Sequence, residues 1–126
     1  MTATILVVDD ESVTRRLVSY TLKSIDIQTT EAANANIALT LCEERRFDLI
    51  LVDINLPDMD GFTLVERIRE IAGLQTVPII IFTARNNLDD ELRAHEVGAA
   101  GLLYKPFSTQ ELRALITRHI SSDTRQ

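Results

Sequence analysis

Residues 50–61 read ILVDINLPDMDG: an apolar run that stops on Asp53, then a stretch through Asn55 and Pro57 to Asp58, Asp60 and Gly61. A short, unbroken apolar run closed by turn formers predicts a strand buried on both faces, and Asp60–Gly61 marks the start of a helix. The same pattern recurs as ILVV (5–8), LILV (49–52), PIIIF (78–82) and GLLY (101–104), with a weaker copy, IQTTE, at 27–31. Between these lie residues at helical spacing: Val13, Leu17 and Tyr20; Ile37 and Leu41; Val65, Ile68 and Ala72; Leu88 and Leu92; Leu112, Leu115, Ile116 and His119. Ser108 with Glu111 predicts a capping box, and Gly98 the end of the fourth helix. Five strands alternating with five helices predict an α/β fold, a parallel sheet covered on both faces with the weak second strand at an edge.

The chain has 126 residues, which suits one domain over 1–120, followed by SSDTRQ (121–126) as a polar tail or the start of a linker. Its single cysteine, Cys42, has no partner for an internal disulfide and reads as a packing residue in a reducing, cytoplasmic setting. No apolar run reaches membrane-spanning length, and the first residues lack a secretory signal's basic start, so no membrane partner is expected. A net charge of −6 opposes binding to nucleic-acid backbones.

Polar residues fall where the strands end. Asp9 and Asp10 follow the first, Asp53 ends the third, Thr83 the fourth and Lys105 the fifth. In an open parallel sheet the carboxyl ends of the strands form one binding rim, so these five side chains are expected to meet. Carboxylates about 4 Å apart repel by roughly 4 kcal/mol at an effective dielectric of 20, which calls for a cation. Mg²⁺ suits a shallow set of oxygen ligands completed by a phosphate group, with Lys105 as a fixed second charge and Thr83 as a hydroxyl donor. A carboxylate beside these groups can attack phosphorus and form a labile aspartyl phosphate.

At DDE (9–11), Asp53 followed by NLPDMDG, TA (83–84) and KPF (105–107), the chain resembles the receiver domain of a two-component response regulator, from about Ile5 to Ile120. The resemblance implies a flavodoxin-like doubly wound (βα)5 domain with strand order 2-1-3-4-5. It implies that Asp53 is the phospho-acceptor. Asp10, Asp53, the backbone carbonyl of Asn55 and, largely through water, Asp9 would hold Mg²⁺. Lys105 would pair with the phosphoryl group and precede Pro106 through a cis bond; Thr83 would move toward the modified Asp53, and Ala84 would leave the site open. The implied donor is a sensor histidine kinase or a histidine phosphotransfer protein in a phosphorelay, and the output a changed affinity for a downstream effector. Such a protein is no enzyme toward other molecules, catalysing only its own phosphorylation and dephosphorylation. Leu102 stands where the family commonly carries a switching aromatic, and Tyr104 shares its strand face. Ala100 and Leu115 replace charges that build one subfamily's dimer, so a monomer or weak dimer is expected. Asn55 and Arg85 occupy positions that tune phosphate lifetime.

Other polar residues have plainer readings. Asp58 and Asp60 are expected to shape the turn and cap the third helix, and Asp48 to occupy a turn. His95 and His119 lack ligand spacing. Arg15 and Arg16 are either solvated or contacts for a histidine-bearing partner. A metal-dependent phosphatase with an aspartate nucleophile is the enzymatic alternative, but it typically needs a second acid where Asn55 stands. A phosphorylation-independent interaction module leaves the five rim residues without a purpose. Nucleotide binding lacks a glycine-rich loop after the first strand.

Overall fold

The computed structural model describes the backbone of residues 3–84 and 87–124 and side chains as far as residue 120. Arg85, given above a role in phosphate lifetime, lies outside the described residues. The elements follow the order β1 (Thr4–Val8), α1 (Ser12–Lys23), β2 (Gln28–Ala32), α2 (Ala35–Glu44), β3 (Leu49–Asp53), α3 (Gly61–Arg69), β4 (Ile79–Thr83), α4 (Leu88–Glu96), β5 (Gly101–Tyr104) and α5 (Thr109–Thr124). The sheet is parallel with strand order β2-β1-β3-β4-β5, and the polar IQTTE strand lies at its edge as expected. Helix α5 continues through Ser121–Thr124, into the polar stretch.

Continuous apolar strands follow from two cores. Leu6, Val8, Ile50, Val52, Ile79 and Ile81 pack on one face, under α2 and α3; their alternates Ile5, Val7, Leu49, Leu51, Ile80 and Phe82 pack on the other, under α1 and α5. Side chains of period two must face opposite ways, so a strand buried on both faces has no position left for a polar residue. Register then fixes the rim. Val8 pairs with Val52, so the next residues, Asp9 and Asp53, emerge side by side; Asp53 pairs with Phe82 and Thr83 with Tyr104, bringing Thr83 and Lys105 to the same end. Strand order reverses at β1, whose neighbours are β2 and β3, so the rim sits at the topological switch point.

Helix ends match their chemistry. Ser108 and Glu111 exchange backbone-to-side-chain bonds at 2.9 and 3.0 Å, and Gly98, at φ 81°, closes α4 through its N–H on His95. Asp60 caps α3 by accepting from the Thr63 N–H at 2.9 Å. Asp58 does not serve that helix: it accepts from Ala35 and Asn36, both at 2.9 Å, and caps α2 across the rim. Desolvation raises its carboxyl, but those two bonds together with its own backbone N–H outweigh it and hold the carboxyl below the ordinary range. Asp48 is more than a turn residue, since it accepts the Thr4 N–H at 2.8 Å and ties β3 to the start of β1.

The apolar stripes of two helices face outward. Val13, Leu17 and Tyr20 on α1 and Leu88 and Leu92 on α4 are exposed, as is Ile37 on α2. Helix α1 instead buries Val18, Thr21 and Leu22, which is tolerated because the Thr21 hydroxyl donates to the Leu17 carbonyl at 2.8 Å. Ala72 lies beyond α3, while Val65 and Ile68 are in its core face as expected.

Gly61 controls how closely α3 approaches the end of β3. A Cβ there would lie 2.3 Å from the Asp53 carbonyl oxygen and 2.9 Å from the Ile54 Cα, both backbone atoms. Gly61→Ala is therefore expected to destabilise the fold by about 1–3 kcal/mol, the usual cost of overpacking, read as a lowered urea midpoint. An unchanged midpoint would show that the β3–α3 junction yields freely.

Candidate functional site

The rim is built from strand ends. Asp9 is fully buried, held by its N–H on the Ala32 carbonyl at 3.1 Å, and its carboxylate accepts the Glu11 N–H at 2.9 Å. Asp10 beside it is exposed, while Asp53 is only 6% exposed. Carboxylate oxygens of Asp9, Asp10 and Asp53 lie within 4.8 Å of one another. Lys105 crosses from β5, its backbone N–H on the Thr83 carbonyl at 2.7 Å. Its ammonium donates to Asp9 at 2.7 Å and Glu11 at 3.3 Å, and stands 3.5 Å from Asp53. The Lys105–Pro106 bond is cis, as the resemblance implied. The next residue, Phe107, stacks on Phe82 with ring centroids 5.2 Å apart, holding the β5–α5 loop against β4. Thr83 is fully buried next to this cluster.

Electrostatics single out Asp53. Burial, reinforced by the charge of Asp9, pushes its carboxyl from 3.8 up to about 6, although Lys105 and the Asn55 N–H pull the other way. For Lys105, burial works against the charge, but the bond to Asp9 and the negative neighbours prevail and its ammonium is held above the ordinary value. Asp9 and Asp53 thus share one ammonium that is also engaged by Glu11, with the Asp10 carboxylate close to both. All the donors are hard oxygens, and the unrelieved charge on Asp53 is what a small divalent cation would offset, so the residues present fit Mg²⁺. The Asn55–Asp60 bridge runs through the Gly61 N–H and the Ile54 carbonyl at 2.7 Å, so the Asn55 carbonyl is not used in that bond.

Glu11 was not expected at the site, and Arg15, expected to be solvated or a partner contact, is instead held internally. Glu11 belongs to the DDE string and lies two residues past Asp9, the one signal that it reaches the same ammonium. Arg15 donates to the Asp9 backbone carbonyl at 2.6 Å and to Glu31 at 3.0 Å, so it braces the β1–α1 loop, whereas Arg16 is exposed. Leu102 packs on the first core, and the Tyr104 hydroxyl donates outward to Glu91 on α4 at 2.6 Å. His95 and His119 lie on α4 and α5, outside the cluster. Burial pushes the Cys42 thiol up to about 11, which fits a packing residue.

The chain matches the response regulator receiver domain family over residues 5–117. It belongs to that family. This receiver domain is 37% identical over 111 residues to the phosphate regulon transcriptional regulatory protein PhoB of Pseudomonas aeruginosa, covering 88% of this chain and 48% of PhoB. Among solved structures it superposes on the chemotaxis response regulator CheY4 of Vibrio cholerae with a TM-score of 0.90 at 33% identity, covering 94% of this chain and 99% of that one. The receiver domain of the sensor histidine kinase PA1611 from Pseudomonas aeruginosa, solved with a magnesium ion coordinated in its active-site cleft, gives a TM-score of 0.87 at 31% identity, covering 96% and 99%. The chain spans about half the length of the first curated relatives it matches. It is the flavodoxin-like, phospho-accepting module of two-component signalling. No helix among the described residues is long and apolar enough to cross a membrane.

The raised Asp53 carboxyl makes stability depend on pH in a defined direction. With a folded value of about 6 against 3.8, the native state holds the proton more tightly, so stability falls as pH rises through that window. At pH 7 the penalty amounts to up to about 3 kcal/mol. Asp53→Asn is accordingly expected to raise the unfolding free energy by about 1–3 kcal/mol at pH 7 without divalent ions, with little difference from wild type below pH 4. Urea titrations at both pH values check this; equal stability of the two proteins at pH 7 would contradict the charge crowding.

Proposed function

We propose that residues 1–120 act as a phosphorelay switch in which Asp53 accepts a phosphoryl group from a sensor histidine kinase or a histidine phosphotransfer protein. Residues 121–126 would lead out of the domain as a polar tail or linker. The observation that carries this reading is the placement of the Asp53 carboxylate, buried at the end of β3 beside the Asp9–Asp10 pair and 3.5 Å from the Lys105 ammonium.

An Asp53 carboxylate oxygen attacks the phosphorus of a phosphohistidine; an O–P bond forms, the N–P bond breaks, and the electron pair leaves with the imidazole nitrogen, which takes up a proton. Asp9, Asp10, Asp53 and the Asn55 carbonyl would hold Mg²⁺, which would supply positive charge to steady the phosphoryl oxygens. Lys105 exchanges part of its hold on Asp9 and Glu11 for a phosphoryl oxygen, and the Thr83 hydroxyl donates to another. Ala84 keeps the approach open. Water attack on the acyl phosphate returns Asp53 and inorganic phosphate, so the domain catalyses its own resetting. Added charge near −2 shifts an existing equilibrium between two surface arrangements, and a downstream effector reads the difference.

The outward stripe of Val13, Leu17 and Tyr20 supports docking of the donor. It adjoins a hollow of about 320 Å³ formed with Lys105, Pro106 and Phe107, so a phosphohistidine-bearing helix laid on α1 delivers its imidazole to the rim. Arg16 can contact that donor, while Arg15 is occupied internally. Ala100 and Leu115 argue for a monomer or weak dimer, and the reducing cytoplasm is the fitting compartment. Asn55, an amide where an aspartate phosphatase needs a general acid, disfavours turnover of external substrates.

Intact-mass measurement with a small acyl phosphate donor tests the reading. One phosphoryl group is expected on the wild type with Mg²⁺, none on Asp53→Asn, and strongly reduced label after chelation or in Lys105→Ala. Equal labelling of wild type and Asp53→Asn sinks the assignment.

A further inference from the structure

The edge strand β2 carries a second polar site, at the opposite end of the sheet from the acidic rim. The Gln28 N–H bonds to the Ala3 carbonyl and the Ala32 carbonyl to the Asp9 N–H, so alternate residues Thr29 and Glu31 turn their backbone groups outward. A groove of about 520 Å³ follows this edge, lined by Ser19 and Lys23 of α1, Thr29 and Thr30 of β2, and Arg45 and Arg46 after α2. Among the described residues no carboxylate lines it, although the protein carries a net charge of −6.

The donors are arranged on both sides of the strand. Thr29 pairs with Ile5 and shares the α1 face with Lys23; Thr30 pairs with Leu6 and shares the α2 face with Arg45. The Arg45 guanidinium donates to the Thr30 hydroxyl and lies 5.4 Å from the centre of the Phe47 ring, so it is fixed in the wall with most of its five N–H groups unspent. Arg46 lays its guanidinium against Gly73, where a Cβ would come within 2.6 Å of it. The Thr29 hydroxyl is buried and makes no hydrogen bond among the described residues. Cations near the ends of α1 and α2 also suit the negative ends of helix dipoles, but that does not account for an unsatisfied hydroxyl between them.

We propose that this groove binds a small phosphate-ester anion, with Lys23 and Arg45 carrying the charge recognition and the Thr29 hydroxyl donating to an ester oxygen. The volume falls within the range of small-ligand sites, and guanidinium forks match phosphate oxygens in pairs. Addition of a peptide strand is less well served, because only two residues offer outward backbone groups and the Glu31 carboxylate is held by Arg15.

Calorimetric titration of the full chain with pyrophosphate and with ADP, in Mg²⁺-free buffer, tests the site. Saturable binding of at least one is expected, unchanged in Asp53→Asn and weakened about tenfold or more in Lys23→Glu. Thr29→Val should weaken binding while leaving the urea midpoint equal or higher, since it removes a buried, unsatisfied hydroxyl. Absence of saturable binding to both probes, or binding untouched by Lys23→Glu, overturns the proposal, as does equal affinity for citrate, which carries charge without phosphorus.

Discussion

The charge of Asp53 is buried beside two other carboxylates and opposed by a single lysine. Every other feature of the rim serves or tolerates that arrangement. Parallel pairing of β1 with β3 forces Asp9 and Asp53 together, because their preceding residues, Val8 and Val52, are register partners. Lys105 reaches them from β5 and is steadied by the Thr83 carbonyl behind it. A group held this far from its preferred protonation state is suited to a partner that brings positive charge or converts the carboxylate to something else. A bound cation would do the first, and phosphorylation of the carboxylate the second.

The sheet and rim were largely legible in the sequence because they depend on period and position. Unbroken apolar runs fix strands, and a polar residue directly after such a run falls at the carboxyl end. Helix orientation was less legible. Val13, Leu17 and Tyr20 have the spacing of a buried stripe, yet α1 turns Val18, Thr21 and Leu22 inward; periodicity reports a face, while the element packed beneath decides which face is covered. Asp58 was placed correctly as a capping residue but on the wrong helix, since a bond to Ala35, 23 residues away, leaves no trace in local spacing. Glu11 and Arg15 were missed as members of the site for a similar reason: their partners, Lys105 and the Asp9 carbonyl, are brought near only by the fold.

Strand β5 links the rim to α4. Leu102 and Tyr104 share one of its faces: Leu102 packs on the first core, and the Tyr104 hydroxyl donates to Glu91, coupling β5 to α4. Thr83 ends β4, the strand that precedes α4 in the chain. Exposed Leu88 and Leu92 give that helix an apolar outer face.

The most direct test of the charge-crowding account is carboxyl ¹³C NMR of Asp53 across pH, with and without Mg²⁺. Without the ion the resonance is expected to titrate at about 6, and with it the midpoint should fall as the cation offsets the crowded charge. A midpoint in the ordinary range near 3.8 that does not respond to Mg²⁺ would contradict the account.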